Sequence, residues 1–380
     1  MFSKLQRRLL PVFVAIGAAG FTLGLILPVT TVVLEEMAVS TPLIGFIGTV
    51  MSLGTMAGSL FVGRAIVDYG VRAVLGAGLV LTVVAVGALS LWLYLPYWVL
   101  LRFIVGIGLA AVFTASETLI NRCCNEGNRG RTLGLYGMAF SLSFMLGPLG
   151  LFLLHYSYRL PFIAGALVCL VPALIFLRYL SLSRSALPLE KEAGTILVRR
   201  IRLSLSTMIL AGFMEGALLV LIPLFTLRQG FSMGETGVLL FCFLLGHGCM
   251  PIVTGLACDR WGFSRTLSAV IMGAIPAFIL VAFTSHYVAL ILLFVVCGAS
   301  VGSLYPLSIG LLANVLTPME LPRGNAMTTF CYGLGSVLGP VVPALAMHFI
   351  GVSSLFLVAA FVYIIFMSVR FSGVAKAHQL

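Results

Sequence analysis

The chain has 380 residues, of which 61% are hydrophobic and 9% charged, with a mean hydropathy of +1.17 and a formal net charge of +11. So little charge cannot cover the surface of a water-soluble protein of this length, so the composition excludes a soluble domain and points to an integral membrane protein. A spanning β-barrel would show segments of roughly ten alternating residues, and nothing in the chain alternates in that way.

A spanning helix needs about 20 apolar residues. Apolar runs predict twelve of them, at 10–34, 42–63, 73–95, 98–121, 132–155, 160–180, 204–227, 236–255, 266–284, 287–313, 325–348 and 351–371. Lys4, Arg7 and Arg8 precede the first run, but it extends to Leu34 without a small-residue cleavage site, so it reads as a membrane helix and not as a secretory signal. After the sixth run comes the charged stretch 181–203, which contains Pro188 and Gly194. It reads as a cytoplasmic linker between an N-terminal six-helix bundle, 1–180, and a C-terminal one, 204–380, with room for a short amphipathic helix on the membrane surface.

Twelve spans put both termini on one side. With the N-terminus cytoplasmic, all of the 22 basic residues fall on the inner side except Arg159 and Arg228, outside, and Arg102, within a span. The basic excess is therefore an orientation signal with membrane lipid head groups as its contact, not a nucleic-acid footprint. All eight cysteines fall in spans or on the inner side, so no disulfide is expected. Cys123-Cys124 has no second pair or histidine at ligand spacing, so no metal is expected either.

The two halves echo each other. Gly17, Gly20 and Pro28 of the first span occupy the places of Gly212, Glu215 and Pro223 in the seventh. Arg129-Gly-Arg131 opens span five and Gly147-Pro148 lies within it; Arg323-Gly-Asn325 opens span eleven and Gly339-Pro340 lies within that. Paired six-helix repeats are a transporter plan, with substrate held near the bilayer midplane.

Gly255-Leu-Ala-Cys-Asp259-Arg260-Trp-Gly262 joins spans eight and nine. It resembles the G-x-L-x-D-R-x-G loop signature of the major facilitator superfamily. An altered copy, Gly63-Arg-Ala-Ile-Val-Asp68-Tyr-Gly70-Val-Arg72, joins spans two and three, with one extra residue before the Asp and Tyr69 in place of the Arg. The resemblance runs over the whole chain and implies the major facilitator fold, two pseudo-symmetric bundles about a central cavity. It also implies that Asp259 meets the start of span five near Arg129 and Arg131. Asp68 would meet the start of span eleven near Arg323, and Arg72 and Arg260 of the two loops are further gating candidates. These contacts would latch the cytoplasmic side shut; the alternative is that they are ordinary loop charges that mark topology.

Arg102-Phe-Ile-Val105-Gly106-Ile-Gly108-Leu-Ala110 is similar to the superfamily's R-x-x-Q-G-x-G-x-A pattern, which is associated with proton coupling, with Val105 in place of the Gln. An Arg within a span faces the protein interior or snorkels to the surface, and both readings stay open for Arg102. Gly335-Ser-Val-Leu-Gly339-Pro340, with Gly147-Pro148 in span five, resembles the G-x-x-x-G-P signature of proton-driven exporters, in which the Gly-Pro step kinks the helix. Span five departs from that pattern at Ser143 and Leu151.

Three ionisable groups lie in the spans without a family motif. Glu215 falls near the middle of span seven with no basic residue within helical reach, so its carboxyl must be protonated, paired across helices or facing water. That suits a proton carrier or a substrate contact. His247 lies similarly deep in span eight and reads as a second proton carrier or a hydrogen-bonded core histidine. Glu117 lines the cavity or pairs with Arg122 or Arg131. Phe21, Tyr136, Tyr305 and Tyr332 fall on spans that line the cavity in the superfamily, or else serve as packing and interfacial aromatics.

No phosphate-cradling loop, zinc-helix motif or nucleophile elbow occurs, so no cofactor, no enzymatic activity and no drive by ATP are expected. The expectation is a monomeric secondary transporter of a small organic molecule in a bacterial inner membrane, working by alternating access on the proton gradient. Efflux comes first, with proton-coupled uptake of a nutrient, metabolite or siderophore as the alternative. A non-transporting sensor or a membrane-embedded enzyme is the remaining class.

Overall fold

The computed structural model describes residues 4–123, 126–178, 197–317 and 320–377. Within them the chain forms α1 (Lys4–Glu36), α2 (Thr41–Tyr69), α3 (Val71–Leu89), α4 (Leu95–Cys123), α5 (Glu126–Leu146), a 3₁₀ segment (Gly147–His155) and α6 (Arg159–Arg178). The second half forms α7 (Leu197–Arg228), α8 (Met233–Trp261), α9 (Phe263–Phe283), α10 (Tyr287–Ala313), α11 (Leu321–Phe349) and α12 (Ser354–Ala377). No strand occurs among the described residues. Among the described residues eleven helical stretches are long and apolar enough to cross a membrane, one of them, Leu135–His155, made by α5 and the 3₁₀ segment together, and α12 carries a shorter apolar run, Ser354–Arg370. In lipid every backbone N–H and C=O must be satisfied within its own segment, which is why the apolar runs become helices.

Several elements depart from the expected spans. α7 begins at Leu197, so 197–203 is helix, not linker; 179–196 lies outside the described residues. Span five does not run as one α-helix. It stops at Leu146, and Gly147–His155 continues as 3₁₀, starting where Pro148 removes a backbone donor. By contrast, α11 passes through Gly339-Pro340 without interruption.

The chain divides into two compact units, Met1–Val33 with Val50–Glu192, and Leu34–Thr49 with Ala193–Leu380. The end of α1 and the first turns of α2 therefore group with the second half, across the boundary expected from the sequence. In the first unit α3 packs on α4 and α6, and α1 lays Gly17, Gly20 and Gly24 on Ser143, Phe140 and Phe144 of α5. In the second unit α11 packs on α7, while α10 packs on α8, α7 and α9.

Glycine decides how closely these helices cross. A side chain at Gly54 of α2 would overlap the Phe103 carbonyl of α4, and one at Gly106 of α4 would overlap the Met51 carbonyl of α2. The second unit repeats the device: Gly246 of α8 faces the Val295 carbonyl of α10, and Gly298 of α10 faces the Phe243 carbonyl of α8. Close backbone contact of this kind is how membrane helices gain packing energy where lipid supplies no hydrophobic drive between them. Large apolar side chains remain exposed around the units, for example Leu60, Phe61 and Phe283, as suits contact with lipid. Some buried hydroxyls return to their own helix, as Thr30 does to the Ile26 carbonyl, and others tie two helices, as Ser204 of α7 does to the Ser308 carbonyl of α10.

Candidate functional site

Glu215 stands on α7 between Gly212 and Gly216, and the α7–α11 crossing is built around those two glycines. A side chain at Gly212 would overlap the Tyr332 carbonyl, and one at Gly216 would stand 3.0 Å from the Ser336 carbonyl oxygen. Reciprocally, Gly335 and Gly339 of α11 press on the carbonyls of Ile209 and Phe213. With the backbones in contact, Tyr332 and Ser336 reach the level of Glu215, and the side chains of Tyr332 and Glu215 interact, as do those of Tyr332 and Ser336. From α8, His247 brings its Nε2 to 3.8 Å from a Glu215 carboxylate oxygen. From α10, the Tyr305 ring meets Tyr332 edge-on, with centroids 5.8 Å apart and planes at 85°. Side chains from four helices of one unit thus form a connected group, with His247 and Tyr332 on the carboxylate and Tyr305 on Tyr332.

Exposure fits a site open to a solute. The Glu215 and His247 side chains are each 20% exposed, and Tyr305 is 45% exposed. Their neighbours Met214, Ala217 and Leu218 on α7 are buried. Among the described residues Glu215 has no Lys or Arg partner, so His247 is its one potential cation. A carboxylate and an imidazole at this separation form a coupled pair that is neutral with one proton and negative without it.

The repeat makes the asymmetry plain. Gly20 of α1 occupies the place of Glu215, and Phe140 of α5, at the matching position before the Gly-Pro step, occupies the place of Tyr332. In the first unit these two are in direct contact, the Phe140 ring and carbonyl crowding Gly20. The same crossing is apolar in one unit and ionisable in the other.

Arg102 does not snorkel. It is 1% exposed on α4, and its Nε and Nη2 have no hydrogen-bond partner. Glu117 is exposed on α4 and makes no ion pair among the described residues; the Arg122 and Arg131 side chains lie outside them. Phe21 on α1 and Tyr136 on α5 are half-buried in the first unit.

The two loop signatures share a backbone feature. Each ends on a glycine with positive φ, Gly70 at 90° and Gly262 at 78°, and each of these caps the following helix, α3 or α9. Such φ values strain any residue with a β-carbon. The leading glycines, Gly63 and Gly255, meet nothing within 4 Å in this structure. Asp68, Arg72, Asp259 and Arg260 are exposed and make no ion pair among the described residues. The side chains of Arg129, Arg131 and Arg323, their expected partners, lie outside the described residues.

Three polar ties were not anticipated. Arg228, ending α7, donates two hydrogen bonds to Glu35 near the end of α1, at 2.8 and 3.0 Å. The pair lines a cavity of about 430 Å³ with Ser40, Thr41, Met347 and His348. Arg200 of α7 bridges to Glu320 at 3.1 Å and donates to the Val315 carbonyl, tying α7 to the loop before α11. Arg370 of α12 donates to the backbone and hydroxyl oxygens of Ser264, just after Gly262, and so anchors the second loop signature. The signal available in the sequence was small: a charged residue near the ends of both the first and the seventh span. Among the described residues no group of three or more His, Cys, Asp or Glu is placed to hold a metal.

The sequence model of the Major Facilitator Superfamily matches residues 12–233 and 204–374. The chain is 29% identical over 338 residues to the MFS-type transporter YfkF of Bacillus subtilis (strain 168), covering 86% of this chain and 85% of that one. It is 28% identical over 340 residues to the MFS-type transporter YcaD of Salmonella enteritidis PT4, covering 85% of each. Its fold is similar to that of a variant of the nucleoside transporter NupG, with a TM-score of 0.81 at 11% identity over 96% of this chain and 99% of that one. It is also similar to a bacterial homologue of the lysosomal transporter Spinster in an inward-facing, occupied form, with a TM-score of 0.78 at 14% identity over 97% of each chain. With both halves matched, the chain belongs to the Major Facilitator Superfamily: it is a multi-pass membrane transporter of a small-molecule substrate, not an enzyme.

Proposed function

We propose that the protein is a proton-coupled exporter of a small organic molecule, working by alternating access in a bacterial inner membrane with both termini cytoplasmic. The observation that carries this reading is Glu215, a carboxylate within a span whose one ion-pair partner among the described residues is the imidazole of His247, at 3.8 Å. A group that changes its protonation as it meets one compartment and then the other couples proton movement to the conformational cycle. His247 is the second member of that relay. Arg102, buried and without hydrogen-bond partners at Nε and Nη2, is a fixed charge in the first unit that favours conformations able to solvate or pair it. Tyr305 and Tyr332 line the substrate side of the site in the second unit, and Phe21, Tyr136 and Glu117 are the substrate-contact candidates of the first. The two loop signatures, through Asp68 and Asp259, act as cytoplasmic latches with Arg72, Arg260, Arg129, Arg131 and Arg323, and the Gly-Pro steps at 147–148 and 339–340 shape helices five and eleven. Export is favoured over uptake by those Gly-Pro steps.

The test begins with a thermal-shift screen of small molecules on purified protein. Hits are then carried to flux in proteoliposomes under an imposed pH gradient, with the sign of the gradient dependence giving direction. Glu215→Gln should abolish the response to the gradient while the protein remains folded. Gradient-driven flux that survives this substitution defeats the reading. For the latch, Asp259→Asn should increase labelling of a cysteine probe placed on the cytoplasmic side; unchanged labelling removes Asp259 from the gate.

A further inference from the structure

We infer that the cavity beside the Glu35–Arg228 pair is a binding site for a small organic molecule bearing one carboxylate. It is reached from the side of the membrane opposite the termini and is separate from the Glu215 group. The site stands without proton coupling; only the name of that side, outer, rests on the orientation proposed above.

The turn between α1 and α2 builds one wall. Ala38 and Val39 close α1, their N–H groups donating to the carbonyls of Glu35 and Leu34. With a φ of 55°, Ala38 is the one non-glycine in the left-handed region among the described residues. A residue with a β-carbon adopts that backbone at a cost, and only where its surroundings impose it. The turn brings Ser40 and Thr41, where α2 starts, to the cavity. Arg228 from the end of α7 and Met347 and His348 from the end of α11 line it too. All of these residues belong to one compact unit.

Free donors outnumber free acceptors there. Both Glu35 carboxylate oxygens are engaged by Arg228, through Nε and Nη2. The third nitrogen, Nη1, makes no hydrogen bond among the described residues. Thr41 is only 3% exposed, yet its hydroxyl has no hydrogen-bond partner among them either. Its N–H is also unspent: Leu43 and Ile44 turn theirs to the Ser40 carbonyl, and Pro42 has none. A buried polar group without a partner costs free energy that a ligand can return. Unpaired N–H groups at a helix start favour an anion. His348 adds an N–H in either protonation state.

Charge and size narrow the ligand. The titratable groups lining the cavity are Glu35, Arg228 and His348. Glu35 and Arg228 cancel, so a dianion would face the Glu35 carboxylate without a second fixed cation to offset it. A monoanion can share Arg228, whose planar guanidinium matches a carboxylate. The volume of about 430 Å³ exceeds what an inorganic oxyanion fills and falls within the roughly 300–1,000 Å³ of organic ligand sites. Ala38, Val39 and Met347 offer apolar contact to the rest of such a molecule.

The experiment uses the full-length protein in lipid nanodiscs near neutral pH, with benzoate as the probe in a ligand-observed NMR titration. Benzamide, of the same shape but uncharged, is the control, and sulfate is the competitor. Benzoate should bind, benzamide should not, and sulfate should not displace it. Glu35→Gln should tighten benzoate on the order of 10-fold by releasing Arg228 from a competing carboxylate, and Arg228→Gln should abolish binding. Both variants break the same ion pair, so an effect that came only from loosening the turn would move both in one direction. Thr41→Val keeps the shape and should weaken benzoate on the order of 10-fold, with the thermal midpoint unchanged because the hydroxyl holds nothing else. The absence of benzoate binding, equal binding of benzamide, displacement by equimolar sulfate, shifts of one sign in the two ion-pair variants, or unaltered binding in Thr41→Val each overturns the inference. Ser40→Cys, compared with wild type in right-side-out vesicles, should be labelled by a membrane-impermeant maleimide and protected by benzoate. Labelling only from the inner face overturns the outer assignment together with the proposed orientation. Flux indifferent to a pH gradient would remove the proposed proton coupling, whereas the benzoate results stand or fall apart from it.

Discussion

Gly246→Ala tests the α8–α10 crossing on which the second unit is built. A methyl group at 246 would overlap the Val295 carbonyl and stand 2.9 Å from both the Ala299 nitrogen and the Val295 carbonyl carbon. All three neighbours are backbone, so none can turn aside as the tip of a long side chain could. Comfortable non-bonded separations between carbon atoms are about 3.5–4.0 Å, so the helices must part locally. Overfilling a packed site of this kind costs about 1–3 kcal/mol. Replacing glycine by alanine inside a helix returns about 0.5–1 kcal/mol. The expected net result is a loss of up to about 2.5 kcal/mol. Gly273→Ala on α9 is the control, because nothing lies within 4 Å of a β-carbon there and only the helical gain remains. Gly216→Ala is intermediate, its nearest contacts being 3.0 Å to the Ser336 carbonyl oxygen and 3.2 Å to the Ser336 α-carbon. Thermal midpoints read by fluorescence size-exclusion in detergent should rank Gly273→Ala at or above wild type, Gly216→Ala below it, and Gly246→Ala lowest. If Gly246→Ala proves as stable as Gly273→Ala, the backbones at the crossing are not in contact and the packing argument fails.

Three further outcomes are expected. Arg102→Met removes a buried guanidinium whose Nε and Nη2 have no hydrogen-bond partner. Because an unpaired buried charge opposes folding, the thermal midpoint should hold or rise by the equivalent of about 1 kcal/mol while gradient-driven flux falls; a lower midpoint would give Arg102 a structural role. A double-mutant cycle on Glu35 and Arg228, whose side chains are 24% and 29% exposed, should return a coupling of about 1 kcal/mol or less, shrinking as salt is added; a larger, salt-insensitive value would contradict a partly solvated pair. At the loop before α11, the Thr317 backbone N–H and hydroxyl, with Arg200 beside them, hold the Glu320 carboxyl below the usual carboxylate range. A depressed carboxylate contributes its stabilisation above its ordinary pKa and loses it as pH falls through the lowered value. Protection against hydrogen exchange at residues 315–317 and 320, taken relative to the intrinsic rate at each pH, should therefore fall on acidification below the ordinary carboxylate range, and Glu320→Gln should flatten that response; an unchanged acid response in the variant would refute the assignment.

The sequence by itself determined the class, the helices and their repetition. In lipid the backbone must satisfy its own hydrogen bonds, and only a helix of spanning length does so locally, so the hydropathy of each run was sufficient to locate it. Glu215 and His247 stand out in the same local way, as ionisable groups deep in apolar runs. What depends on two helices at once was decided only by the tertiary structure. The break of span five into a 3₁₀ segment after Leu146, and the unbroken course of α11 past its own Gly-Pro, differ although the two dipeptides are identical. The pairing of Gly54 with Gly106, and of Gly246 with Gly298, requires the crossing register, which hydropathy does not encode. The same holds for Arg102, since snorkelling and burial share one sequence and only the neighbouring helices choose between them. It holds most of all for the site. Glu35 with Arg228, and Glu215 with His247, Tyr332 and Tyr305, are separated along the chain and become neighbours only through helix contact, because a side chain's partners are set by which helix backbones can approach closely enough to present them.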